Sequence, residues 1–200
     1  VRSVSVLGST GSIGTSTLDV VRAHPERLRV VALAAGRNRD LLLAQCEAFK
    51  PRCVSLGSPE DATWLRAHLS YAPDLHWGDE GLMACALHPG ASTVVAAIVG
   101  SAGLASTEAA LRAGRRVCVA NKESLVVGGV LMHEAARAGG GELLPVDSEH
   151  AALHQLLDGR EASTIREVRL TASGGPFREW PLERLQRATV DEALNHPTWK

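Results

Sequence analysis

The chain has 200 residues, of which 45% are apolar and 22% charged, and its formal net charge is −1. Such a length suffices for one large domain, or for one domain and part of a second, with a core that needs no disulfide or metal staple. The near-neutral charge argues against a nucleic-acid or membrane surface as the main partner; the one short basic run, Arg112–Arg116, reads as a solvated helix end.

The first residues, Val1–Leu7, already read as a strand, placed at Val4–Leu7, so no signal or transit segment is expected within this sequence. Further strands are expected at Arg29–Ala34, Cys53–Leu56, Thr93–Val99, Val117–Ala120 and Leu143–Val146. Between them lie helical patterns near Ser12–Ala23, Asp40–Phe49, Pro59–His68, Gly103–Ala113 and Leu125–Ala138. Strands apolar on both faces, alternating with helices, imply a parallel sheet covered by helices on both faces. Right-handed crossovers then bring every strand C-terminus to one edge, where ligands bind. The stretch Gly81–Thr107 contains no Asp, Glu, Lys or Arg. His88-Pro89-Gly90 and the Gly and Ser that follow break a membrane span, so a buried strand with flanking turns is expected there.

The rhythm changes after Val146. A helix near His150–Leu157, a charged turn at Asp158–Glu161, a strand at Glu167–Ala172, a Gly-Gly-Pro loop and another helical stretch follow. A domain boundary is therefore expected between 147 and 148. Cys46, Cys53, Cys85 and Cys118 form no C-x-x-C pair and have no histidine at finger spacing, so they read as buried reduced thiols.

Gly8-Ser9-Thr10-Gly11-Ser12-Ile13-Gly14 follows the first strand and opens the first helix. Glycines there let the backbone turn tightly and approach a pyrophosphate, whose charge rests against the helix N-terminus. The spacing is one residue wider than the usual G-x-G-x-x-G. The second strand ends in Ala34-Ala35-Gly36-Arg37-Asn38, with no acid to take ribose hydroxyls. An arginine there suits the 2′-phosphate of NADP, to which it can donate two hydrogen bonds.

Two polar clusters follow later strands: Asn121-Lys122-Glu123-Ser124 and Asp147-Ser148-Glu149-His150. Ser124 or Asp147 could cap the next helix. Capping leaves a Lys beside a Glu, and two carboxylates flanking a Ser, without a role. Asp147 and Glu149 are hard oxygen donors suited to Mg²⁺ or Mn²⁺, with a third ligand expected elsewhere. Ala172-Ser173-Gly174-Gly175-Pro176-Phe177 can present N–H groups and a hydroxyl to a phosphate, or form a plain turn. In Asn195-His196-Pro197-Thr198-Trp199, His196 could donate to a ligand that Trp199 covers, or be structural. His150 and His154 have zinc-protease spacing, but Ala151 stands where the Glu is required.

In their order along the chain, these motifs resemble the 1-deoxy-D-xylulose 5-phosphate reductoisomerase family. The resemblance implies a Rossmann-like NADPH-binding domain over 1–147 and the start of an α/β catalytic domain over 148–200. It implies the NADPH- and metal-dependent rearrangement and reduction of 1-deoxy-D-xylulose 5-phosphate to 2-C-methyl-D-erythritol 4-phosphate, in non-mevalonate isoprenoid biosynthesis. Thr10, Gly11, Ser12, Ile13, Gly36, Arg37, Asn38, Asn121 and Glu123 are implied to contact NADPH. Lys122, Ser148, Glu149, Ser173 and His196 are implied to hold the sugar phosphate, with Lys122, Glu149 and His196 at the chemistry. Asp147 and Glu149 are implied to ligate Mg²⁺, Mn²⁺ or Co²⁺. The resemblance further implies a cytoplasmic homodimer. Family members are longer, so further phosphate-binding residues, a third metal carboxylate, a covering loop and a C-terminal helical domain are expected outside these residues. On that account the chain alone is expected to lack turnover. Arg37 stands where a Lys is common in the family, which keeps the charge. Two other readings fit the motifs one by one: another two-domain NADP-dependent dehydrogenase, and a non-catalytic NADPH-binding module.

Overall fold

The computed structural model describes residues 1–170 and 175–195. The chain divides into two compact units, Val1–Ala151 and Ala152–Lys200. The first unit is built on β1 (Arg2–Leu7), α1 (Ser12–Ala23), β2 (Leu28–Ala34), α2 (Arg39–Phe49), β3 (Cys53–Leu56), α3 (Pro59–His68), β4 (Asp74–Trp77) and α4 (Gly78–Ala86). It continues through β5 (Thr93–Ala96), α5 (Leu104–Arg112), β6 (Arg116–Val119), α6 (Lys122–Gly139), β7 (Glu142–Pro145) and α7 (Ser148–Leu157), which runs past the division at Ala151. All seven strands are parallel, in the order β4-β3-β2-β1-β5-β6-β7.

Side chains that alternate along each strand feed two separate cores. Val4 and Val6 of β1, Val54 and Leu56 of β3 and Val95 of β5 pack with Leu18, Leu42 and Leu65 of α1, α2 and α3. Leu7, Ala32, Val94, Val117 and Val119 pack on the other face with Cys85, Leu111 and Met132 of α4, α5 and α6. Each fully buried Val or Leu contributes about 1.5–3 kcal/mol. Helices therefore cover both faces, as the apolar runs predict.

The segment between β3 and β5 departs from the expectation. Neither β4 nor α4 is foreseen in the sequence, and the strand expected over 93–99 stops at Ala96. Helix α4 packs on the sheet through small residues, so its sequence lacks a strong helical hydropathy period. A Cβ on Gly81 would sit 2.3 Å from Ser55 Oγ, and the Ser5 hydroxyl donates to the Cys85 carbonyl at 2.7 Å. The edge strand β4 buries only Leu75, too little to register as a strand.

In the second unit, α8 (Leu182–Leu185) and α9 (Val190–Leu194) are short, the latter closed by a Thr189/Glu192 capping box. No described residue of this unit is buried. The strand expected at 167–172 is absent over 167–170, and 171–172 lie outside the described residues. A strand needs a neighbour for its N–H and C=O groups, and the described part of the unit contains no other strand.

Cys46, Cys53 and Cys85 are buried, Cys118 is half-buried, and all four are free thiols. Burial pushes the Cys46 thiol up to about 12, so it stays protonated and inert. Among the described residues no helix is long and apolar enough to cross a membrane.

Candidate active site

Strands β1 and β5 are neighbours, and the chain leaves them toward opposite flanks of the sheet. This reversal opens a crevice at the C-terminal edge, the usual ligand position in open α/β sheets. Gly8 adopts φ +84°, and a Cβ there would meet the Ala97 carbonyl oxygen at 2.5 Å, so the turns after β1 and β5 touch. The Gly8 and Ser9 N–H groups both donate to the Ala34 carbonyl, at 2.8 and 2.9 Å. Gln45 Nε2 donates to the Ser9 carbonyl at 2.8 Å and fixes the turn from α2.

Gly14 packs the start of α1 on this turn, since a Cβ would lie 2.3 Å from the Gly8 carbonyl oxygen. Gly11 is the N-cap of α1, has no side-chain cap, and no acid occupies the first turn. The first N–H groups of α1 are thus without helical partners and suit an anion. Gly14→Ala should destabilise the fold by about 1–3 kcal/mol, because the added methyl meets rigid backbone. Urea denaturation should read this as a lower midpoint at unchanged slope.

A cleft of about 380 Å³ runs along the edge, lined among others by Gly8, Gly11, Gly36, Gly57, Asp79 and Ile98. Gly57 and Asp79 are additions to the residues read from the sequence. Gly57-Ser58-Pro59, a turn directly after β3, was the available signal for the first; Asp79 belongs to the unforeseen α4. The Asn38 side chain accepts from Leu41 N–H at 3.2 Å and caps α2. Arg37 is exposed and makes no ion pair among the described residues. The free backbone donors, the glycine cradle and the unpaired guanidinium fit a phosphorylated dinucleotide.

The two polar clusters follow β6 and β7 on the same edge, Asp147 three interstrand spacings from the glycine turn, or about 14 Å. Asn121 is buried and caps α6, accepting from Ser124 N–H at 3.4 Å, while its amide donates to the Ile98 and Gly100 carbonyls. This ties the end of β6 to the turn after β5. The helix therefore begins before the Leu125 expected, and exposed Lys122 and Glu123 stand in its first turn. Asp147 Oδ1 accepts from His150 N–H at 2.8 Å, capping α7. His150 Nδ1 lies 2.9 Å from the other carboxylate oxygen, in a direction that makes no hydrogen bond. Glu149 is half-buried in the first turn of α7, beside exposed Ser148.

Asp147 Oδ2 is buried and carries no hydrogen bond, and a hard cation at this oxygen would take the place of the His150 ring nitrogen 2.9 Å away. Among the described residues no three His, Cys, Asp or Glu side chains form a metal cage. Ser173, His196 and Trp199 lie outside the described residues.

A family model described as 1-deoxy-D-xylulose 5-phosphate reductoisomerase matches residues 4–129, and one for the C-terminal domain of that enzyme matches residues 143–200. The chain is 51% identical over 199 residues to the reductoisomerase of Geobacter metallireducens, and 49% identical over 201 residues to that of Desulforamulus reducens. Each match covers 99% of this chain and 52% of the relative. The solved reductoisomerase from Zymomonas mobilis in complex with NADPH is similar at a TM-score of 0.86 and 41% identity, over 98% of this chain and 52% of that one. A DOX-P reductoisomerase in complex with NADPH, fosmidomycin and magnesium is similar at 0.80 and 41% identity, over 100% of this chain and 52% of that one. The chain spans about half the length of the curated relatives it matches.

Proposed function

The chain belongs to the 1-deoxy-D-xylulose 5-phosphate reductoisomerase family, and from that premise we propose that the whole protein converts 1-deoxy-D-xylulose 5-phosphate to 2-C-methyl-D-erythritol 4-phosphate. The observation that carries this reading is the common edge on which the glycine turn, Asn121–Glu123 and Asp147–Glu149 stand, one after each of three parallel strands. NADPH, when bound, supplies the hydride, and a divalent ion supplies a Lewis acid for the substrate oxygens.

Residues 1–147 form the NADPH-binding domain. Thr10, Gly11, Ser12 and Ile13 receive the pyrophosphate at the free end of α1. Gly36, Arg37 and Asn38 take the adenosine side, with the guanidinium on the 2′-phosphate. Asn121 and Glu123 bound the nicotinamide side, where the tie from Asn121 to Ile98 and Gly100 holds the wall. Lys122, Ser148 and Glu149 orient the sugar phosphate, and Asp147 with Glu149 holds Mg²⁺, Mn²⁺ or Co²⁺. Ser173 and His196 complete the set that holds the substrate, Ser173 on its phosphate side and His196 at the chemistry. Residues 148–200 begin the catalytic domain. We extend the proposal to a homodimer in the cytoplasm.

The test is NADPH oxidation, followed by absorbance, with 1-deoxy-D-xylulose 5-phosphate and Mg²⁺ or Mn²⁺, using the whole protein. Metal-dependent formation of 2-C-methyl-D-erythritol 4-phosphate is the expected result. The 200-residue chain alone should bind NADPH with little or no turnover, since two carboxylates hold Mg²⁺ weakly. Oxidation of NADPH by some other carbonyl substrate, with this one untouched, would instead make the protein an ordinary dehydrogenase.

A further inference from the structure

Two guanidinium groups stand where β2 passes into α2, Arg37 in the turn and Arg39 at the first position of the helix, in different circumstances. Arg39 Nη1 lies 3.0 Å from Asp61 Oδ1, and its guanidinium carbon stands 4.5 Å from the centre of the Trp64 ring. Trp64 is backed in turn by His68, stacked on it at 4.2 Å. Asp61 is held in place: its N–H donates to Ser58 Oγ at 3.2 Å, and that hydroxyl donates to Asp61 Oδ2 at 3.1 Å. Arg37, two residues before Arg39, has no ion pair among the described residues.

A second tie joins the same two turns. Gly57 N–H donates to the Gly36 carbonyl at 2.9 Å, and a Cβ on Gly57 would come within 2.8 Å of that oxygen. The β2–α2 turn is therefore fastened to the β3–α3 segment on both sides of Arg37: by backbone at Gly36 and by an ion pair at Arg39. An anion that bound here would meet one free guanidinium in a turn of restricted conformation, so less ordering entropy is lost on binding.

We propose that the Arg39–Asp61 pair, seated on Trp64, is a positioning clamp that sets selectivity for a 2′-phosphorylated dinucleotide by fixing the turn that bears Arg37. The inference rests on the NADPH reading. Arg39 acts through the turn, and its charge is already committed to Asp61. The pair is partly exposed, so its effect is modest, about three- to fivefold in affinity.

Dissociation constants for NADPH and NADH, read by nucleotide fluorescence, test it on the wild-type chain, Arg37→Ala, Arg39→Gln, Asp61→Asn and the double variant Arg39→Gln/Asp61→Asn. Both single variants of the clamp should weaken NADPH about three- to fivefold while leaving NADH unchanged. The double variant should lose no more than either single one, because one interaction is removed in all three. Arg39→Lys, which keeps the ion pair, should retain most of the selectivity. Asp61→Asn separates the clamp from direct contact by sign. If Arg39 were itself a phosphate ligand restrained by Asp61, this substitution would tighten NADPH binding and overturn the clamp. Unchanged NADPH affinity in both single variants, with wild-type selectivity intact and lost in Arg37→Ala, overturns the clamp alone. A wild-type chain that binds both nucleotides equally overturns the cofactor reading and the clamp together.

Discussion

Arg37→Ala should lower the affinity for NADPH about ten- to a hundredfold and leave that for NADH nearly unchanged. The two nucleotides differ only in the 2′-phosphate, so a side chain that acts on one and spares the other acts at that group. A doubly hydrogen-bonded guanidinium–phosphate pair contributes about 1.5–3 kcal/mol, which converts to that range. Arg37 is exposed, so the lower half of the range is expected at physiological salt and the upper half at low ionic strength. Arg37→Lys should fall between, because the charge stays and the fork is lost. Titration of both nucleotides at two salt concentrations decides the matter. Equal losses for NADPH and NADH would mean that Arg37 merely shapes the turn. No loss for either would remove it from the site.

The parts of the fold legible in the sequence are those whose hydropathy pattern is strong. β1, β2 and β3 are buried on both faces, β2 as an apolar run after Arg29 and β1 and β3 as Val and Leu interleaved with small buried serines, and the glycine turn follows the first of them. β4 and α4 were illegible because an edge strand with one buried residue and a helix seated on Gly81 and Cys85 carry no such pattern. The start of α6 at Lys122 is hidden in the sequence because Asn121 both caps the helix and ties it to the turn after β5, which spacing alone does not reveal. Of the two caps the residue types offer, Asp147 serves as one, and Asn121 takes the place of Ser124 at the other. The candidate site is legible wherever it sits at a strand–helix junction. The Arg39–Asp61 pair spans 22 residues and depends on the packing of α2 beside α3, so no local motif announces it.

In the whole protein, Asp147→Asn should abolish metal-dependent turnover at almost no cost in stability. The carboxylate has two relations in the structure: Oδ1 accepts from His150 N–H at 2.8 Å, and Oδ2, buried without a hydrogen bond, lies 2.9 Å from His150 Nδ1. Asparagine caps a helix as well as aspartate does, so the first relation survives the substitution and the midpoint of unfolding should hardly move. What the amide lacks is the negative charge and hard anionic oxygen that a divalent cation needs. If the ion stabilises developing charge by several kcal/mol, its loss costs about a hundredfold or more in rate, and Mg²⁺ or Mn²⁺ affinity falls with it. Asp147→Ala removes both relations and should in addition lower stability by about 1 kcal/mol. Glu149→Gln is the companion: it should impair metal binding and turnover while leaving the cap untouched. Calorimetric titration of Mn²⁺, set beside urea denaturation of the same variants, separates the two roles. Should Asp147→Asn bind Mn²⁺ and turn over like the wild type while Asp147→Ala is only less stable, the carboxylate is a helix cap and the cation is held elsewhere.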